Sequence, residues 1–233
     1  EDEDGLQDDP NMVGTFPDNQ TDQTHDFGFA GLDYGDLPEK PQGEDFNTTM
    51  AKTGPVHVLT PTLILGKCAD AERDGTPDDD AGVFDGKDGD QGVGDDGRPS
   101  KFGVGEACTD DEDGIRFITP LVPGFDACIE VTYTAPAGSA VLQAWIDFNG
   151  NGQLEAGEAL SFTGGGGLAA GTNVVDTLCF KVPFSAVFND GTAFVRVRLS
   201  PSGGLTADGP SKFDVATIVP QGEVEDYMVK LAK

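Results

Sequence analysis

The chain has 233 residues, with 42 acidic side chains against 14 Lys and Arg and a formal net charge of −28. That excess argues against nucleic acid and anionic membrane as partners, and it makes self-repulsion costly unless divalent cations neutralise part of it. Gly is abundant at 33 residues, yet clear apolar runs are present, which fits a loop-rich all-β protein better than a disordered one.

Residues 1–32 hold nine acids and no Lys or Arg. Short apolar patches, Met12-Val-Gly-Thr-Phe16 and Phe27-Gly-Phe29, are too small to build a core of their own. This segment reads as an extension, either a linker or a strand that pairs elsewhere. Residues 33–233 read as the folded domain. It opens on the turn-rich Asp33-Tyr-Gly-Asp-Leu-Pro38 and continues with short strands at 55–59 and 62–65. Residues 67–114 form a long insert; from Asp70 to Asp113 it carries 16 acids and four bases. Loops of this length are usually functional or disordered. Asp70, Glu72 and Asp74, then Asp110, Asp111 and Asp113, are candidate oxygen donors for a second cation, with a solvated acidic loop as the alternative. The remainder is strand after strand, at 115–118, 127–134, 141–148, 160–163, 174–182, 193–200 and 224–231. Along 192–200, Ala193, Val195, Val197 and Leu199 share one face, and Phe194, Arg196 and Arg198 the other. Many short strands broken by turn signals predict an antiparallel β-sandwich, jelly-roll or Ig-like. No apolar run is long enough for a membrane-spanning helix. No signal peptide is visible, and an opening on Glu1 reads as a mature or trimmed start.

One stretch carries recognisable chemistry. Asp147-Phe-Asn149-Gly-Asn151-Gly152-Gln153-Leu-Glu155-Ala-Gly-Glu158 matches the twelve-position calcium loop D-x-[DN]-x-[DN]-G-x5-E. Ca²⁺ takes about six to eight oxygens, and alternate residues of a tight loop deliver them. Asp147, Asn149 and Asn151 offer side-chain oxygens and Gln153 a backbone carbonyl. Glu155 ligates directly or through water, and Glu158 closes the shell. Gly152 sits at the sharp turn, where a residue without Cβ is favoured. The flank is not helical: Ala140, Leu142, Ala144, Ile146 and Phe148 alternate as in a strand. The expectation is therefore a static structural site. An Asn-Gly hairpin without metal is the alternative.

Cys68, Cys108, Cys128 and Cys179 fit no zinc spacing, and four cysteines allow three pairings. The favoured pairing is 68–108, bracketing the acidic insert, with 128–179 joining two strand-like runs. It implies an oxidising, extracellular setting. Buried free thiols are the alternative.

Several blocks together resemble a GEVED domain. They are Asp33 to Pro38, Asp110-Asp-Glu-Asp-Gly-Ile-Arg-Phe, Thr119-Pro-Leu-Val-Pro-Gly124, Ala144-Trp-Ile-Asp-Phe-Asn-Gly-Asn-Gly152, Val195-Arg-Val-Arg-Leu-Ser200 and Gly222-Glu-Val-Glu-Asp-Tyr227. The resemblance implies a non-catalytic β module of secreted and cell-surface bacterial proteins, and that Glu223, Glu225 and Asp226 matter. Period two places Glu223 and Glu225 on one side of their strand. They read either as joined to the acidic insert through a shared cation or as exposed carboxylates. In the extension, Asp22-Gln-Thr-His-Asp-Phe-Gly-Phe29 is similar to the closing strand of B-type repeats in serine-aspartate-rich surface adhesins.

Three functions follow for comparison. Catalysis is disfavoured: His25 and His57 are the two histidines, and neither lies in a nucleophile motif. A glycan-binding or protein-binding adhesin module would need Trp145, the one Trp, as an exposed platform. The favoured expectation is a calcium-stabilised structural subunit of a surface fibre. Residues 1–32 would act as a donor strand for the next copy, giving a head-to-tail homopolymer.

Overall fold

The computed structural model describes residues 31–39, 45–69, 104–105, 112–138, 140–188, 191–209 and 221–230. The chain divides into two units at Ala30/Gly31, and every described residue belongs to the second. Among the described residues the strands are β1 Leu32–Tyr34, β2 Val56–Val58, β3 Ile64–Leu65, β4 Cys68–Ala69, β5 Val104–Gly105, β6 Ile115–Phe117, β7 Asp126–Ala135, β8 Val141–Ile146, β9 Gly171–Lys181, β10 Thr192–Ser200 and β11 Glu223–Lys230. Among the described residues no helix is long and apolar enough to cross a membrane.

Two antiparallel sheets make the sandwich expected from the sequence. In the first, β7 is central. It pairs with β9 along one edge, and with β3 and then β6 end to end along the other. In the second, β10 lies between β8 and β11. Alternation explains why the sheets face one another. Ile129, Val131 and Tyr133 of β7 share one core with Leu142, Ala144 and Ile146 of β8, with Ala193, Val195, Val197 and Leu199 of β10, and with Tyr227 and Val229 of β11. Ala140 and Phe148 extend the β8 face into the same core, as their period predicts. Burying each large apolar side chain stabilises the fold by roughly 1.5–3 kcal/mol.

The outer face of the second sheet is covered too, which the sequence did not show. Trp145 and Met228 join Leu37, Phe46, Leu154 and Ala207 in a second apolar cluster, with Phe194 packed on it. The Phe46 and Phe194 rings lie 4.9 Å apart. The turn-rich entry supplies this cover. It contains β1, not anticipated from the sequence, which pairs with β2 through Leu32↔Val58 and Tyr34↔Val56. Leu32 thus belongs to the folded unit and not to the extension.

The expected strand at 160–163 is corrected. Leu160 N–H donates to Ala144 O of β8, and Thr163 N–H donates to Cys179 O of β9. The segment crosses from one sheet to the other, so it never runs beside a single partner long enough to form a ladder.

Cys128 and Cys179 are direct register partners on β7 and β9 and are disulfide-bonded, 51 residues apart in sequence. The bond ties neighbouring strands of one sheet. Cys68 is disulfide-bonded as well; its expected partner Cys108 lies outside the described residues. Replacing Cys128 and Cys179 together by Ser is expected to leave the sandwich folded, because the β7–β9 ladder remains. Stability should fall by up to about 4 kcal/mol, the chain-entropy value for a loop of this length. Urea unfolding with tryptophan fluorescence measures this, and an unchanged midpoint would contradict it.

Candidate functional site

The charged motifs at 195–200 and 222–227 lie side by side, because β10 and β11 pair with Arg196 opposite Asp226 and Leu199 opposite Glu223. Gly222 turns the chain into β11 at φ +133°. A Cβ there would lie 1.8 Å from Leu199 O, so only glycine fits.

On the outer face, Arg196 and Asp226 are both fully buried. Arg196 Nε donates to Asp226 Oδ1 at 2.8 Å, and Nη2 donates to Oδ2 at 2.7 Å. The remaining groups are used as well. Arg196 Nη1 donates to Phe46 O at 3.1 Å, and Nη2 to Thr48 Oγ1 at 3.1 Å. Asp226 Oδ2 accepts Asp36 N–H at 2.7 Å and Leu37 N–H at 3.0 Å. A fork-on-carboxylate pair of this kind fixes geometry as well as charge. It holds the covering segment against the sheet.

Arg198 makes a second layer. Its Nε donates to His57 Nε2 at 3.0 Å, and its Nη1 to Thr206 O at 2.8 Å and Asp208 O at 2.9 Å. The acceptor role at Nε2 makes His57 neutral with its proton on Nδ1. Burial first, then the charge of Arg196, lowers the Arg198 pKa to about 9, while Asp33, Asp226 and Asp208 oppose the shift. Asp33 Oδ2 accepts Val224 N–H at 2.6 Å.

The inner face of β11 joins the two sheets. Glu223 Oε2 accepts Leu65 N–H of β3. Glu225 Oε1 accepts Gly114 N–H at 2.9 Å. Tyr227 donates its hydroxyl hydrogen to Glu225 Oε2 at 2.7 Å, and its oxygen accepts Ile115 N–H of β6 at 3.0 Å. Glu223 and Glu225 share a side, as expected, but each is only 1 % exposed. The exposed-carboxylate alternative is therefore set aside. Glu225 does reach the end of the acidic insert, through a backbone N–H of Gly114.

The 147–158 loop leaves β8 and is held by two buried carboxylates, Asp147 and Glu158. Asp147 Oδ1 accepts Gly150 N–H at 2.7 Å, and Oδ2 accepts Gly152 N–H at 2.9 Å. Glu158 Oε1 accepts Phe148 N–H at 2.8 Å, and Oε2 accepts Glu155 N–H at 3.1 Å. Asn149 Oδ1 accepts Asn151 N–H, and Asn151 Oδ1 accepts Gln153 N–H. Glu155 receives the amides of Asn149 and Asn151 at 2.8 and 2.9 Å. Gly152 takes φ +77° at the turn. Burial, and then the Asp147 charge, push the Glu158 carboxyl above its ordinary value. The donor set is all oxygen, which suits a hard cation. Among the described residues no three Asp, Glu, His or Cys side chains already converge on one point. The carboxamides and the Gln153 carbonyl would have to complete a shell.

Of the other candidates, Asp113 Oδ1 accepts Lys67 N–H at 2.9 Å. Asp70, Glu72, Asp74, Asp110 and Asp111 lie outside the described residues. The residues missed by sequence reasoning are Asp33, Asp36, Thr48, His57 and Tyr227. The one signal for them was the pair of arginines set between apolar residues at 195–199.

These features define an all-β sandwich module closed by buried carboxylate and arginine contacts on its last two strands. Residues 141–230 match the family model of the GEVED domain, a module of secreted and surface bacterial proteins. The match begins at β8. The earlier blocks at 33–38 and 110–117 precede it, yet Asp33, Asp36, Gly114 and Ile115 all bond to its closing motif. No curated protein and no solved structure matches the chain.

Asp226→Ala is expected to lower stability by roughly 3–5 kcal/mol, since it leaves the Arg196 charge buried without its counterion. Glu225→Gln keeps a carbonyl acceptor and should cost less; urea titration of both variants checks the order. Tyr227 is fully buried, which raises its pKa well above 10.0, with the Glu225 charge adding to the effect. Its neutral phenol therefore stabilises fully below pH about 10, and that contribution is lost as pH rises through the folded-state value. Alkaline unfolding monitored at the tyrosinate absorbance should show this residue ionising only with global unfolding.

Proposed function

We propose that the chain is a calcium-stabilised structural subunit of an extracellular bacterial fibre. Residues 1–30 of one copy add a strand to the next. The observation that supports this most is the division at Ala30/Gly31, which sets Glu1–Ala30 apart as a unit of its own from the Gly31–Lys233 unit that holds the sandwich. A segment outside the sandwich unit is suited to adding a strand to another copy. Extracellular placement agrees with the GEVED module and with the disulfide bonding of Cys68, Cys128 and Cys179.

The rival readings have less support. His57 is fully buried and engaged by Arg198, so it is not placed as a solvent-facing acid or base. Trp145 is 3 % exposed and packs with Leu37 and Phe46, so it does not offer the exposed platform a glycan-binding adhesin would use.

Calcium enters through the 147–158 loop. Asp147 and Glu158 are buried acids with no basic partner among the described residues, and Asn149, Asn151, Gln153 and Glu155 complete the oxygen set. The ion would neutralise that pair and stiffen the β8 exit. Chelation with EGTA should lower the melting temperature. Saturating calcium stabilises by mass action, about 2.7 kcal/mol at a hundred times its Kd. Electron microscopy should show filaments of the full chain and a folded monomer after deletion of residues 1–30. Unchanged melting in EGTA would sink the calcium reading, and filaments of the truncated chain would sink the strand-addition reading.

A further inference from the structure

The two sides of the sandwich differ. On one, β11 is fastened to β3 and β6 by Glu223, Glu225 and Tyr227. On the other, β8 is flanked by residues 159–168, through Ala159, Leu160, Gly166 and Leu168. That leaves the outer edge of β9. Cys179 O accepts Thr163 N–H, so the backbone of Cys179 points away from β7. Period two then turns the N–H and C=O groups of Thr177 and Val175 outward as well. Their partners on β7 agree: Thr132, opposite Val175, bonds Gly114 and Gly66 on its far side. Beyond Val175 the edge is blunted by a bulge at Asn173, with φ +50°. Among the described residues the open stretch is thus short, running from Val175 to Thr177 with the Cys179 N–H, and it is bounded at one end by the Thr163 contact and at the other by the bulge.

Its side chains are unfinished as well. Val174 and Leu178 pack against the main core but are only partly buried, and Val175 is 55 % exposed. A strand laid along this edge would pair with the outward backbone groups and extend the core over Val174 and Leu178. A long, uncovered edge is a hazard that folds normally blunt; here the blunting stops short of these residues.

We infer that this β9 edge is the acceptor for residues 25–29 of a neighbouring copy, an inference that rests on the fibre reading above. His25-Asp-Phe-Gly-Phe29 places Phe27 and Phe29 two residues apart, on one face of a strand. That is the face a strand needs in order to cover Val174 and Leu178. The exit point agrees. Leu32 pairs with Val58, and Asp33 bonds Val224, so the chain enters the domain on the β11 side, opposite β9. A donor leaving one side and an acceptor facing out of the other generate a head-to-tail interface that does not close on itself.

Thr177→Pro tests this without disturbing the β7 ladder, because the N–H it deletes points outward, a position where an edge strand tolerates proline. Circular dichroism and retention of the 128–179 disulfide confirm folding. The expected result is a drop in filament yield of at least about tenfold against wild type under the same calcium and salt. Hydrogen exchange on unmutated protein gives an independent readout. The Val175 and Thr177 amides should exchange quickly in the dilute monomer and become protected in filaments. If Thr177→Pro polymerises normally while deletion of residues 1–30 abolishes filaments, the fibre reading stands and the β9 acceptor is overturned. Protection of both amides in the dilute monomer also overturns it, since the edge is then covered within one molecule. Dimerisation of the truncated chain through 175–179 overturns it too, assigning the edge to a second β9. A wild-type chain that forms no filament removes both readings together.

Discussion

The buried pair of Arg196 and Asp226 is the constraint around which the domain is arranged. Two charges with no solvent contact are tolerated only when each also finds its remaining hydrogen-bond partners. Those partners, Phe46 O, Thr48 Oγ1 and the N–H groups of Asp36 and Leu37, all lie in the segment that covers the second sheet. The pair therefore demands that segment, and the segment cannot dock elsewhere without stranding a charge. A hydrophobic replacement of such a pair is often neutral, so what the pair supplies is one docking position for that segment more than net stabilisation.

The closing motif works in two directions because β11 is a strand. Successive residues point to opposite faces, so Asp226 serves the outer layer while Glu223, Glu225 and Tyr227 serve the inner one. Both sets bond mostly to main-chain N–H groups. Carboxylates are suited to this: each accepts several hydrogen bonds, and strand ends and crossings leave donors that must be satisfied. The overall acidity of the chain is thus not only a surface property. A fraction of its acids replaces backbone partners where ladders end.

Much of the architecture was legible. Alternation at 140–148 and 192–200 identifies the core faces of β8 and β10, since each inward position there is apolar. The spacing of 147–158 identifies a turn closed by Asp147 and Glu158. What was not legible shares one cause, dependence on partners distant in sequence that carry no local signal. Arg196 and Arg198 occupy what reads as a polar, solvated face, but Phe46, Thr48, His57, Thr206 and Asp208 receive their hydrogen bonds in the buried layer above it. Glu223 and Glu225 are correctly placed on one side, but their partners are backbone groups of Leu65 and Gly114, which no residue type announces. The segment 160–163 has strand composition but divides its bonds between two sheets.

The Cys128–Cys179 bond lies directly across β7 and β9, on the partly exposed side of the first sheet. An edge strand held by hydrogen bonds alone is peeled away one bond at a time when pulled sideways. Here tension applied to β9 passes through a sulfur–sulfur link into the strand at the centre of the sheet. Mechanical load on that margin of the domain is therefore borne by covalent bonds and shared with β3 and β6 before any ladder has to open.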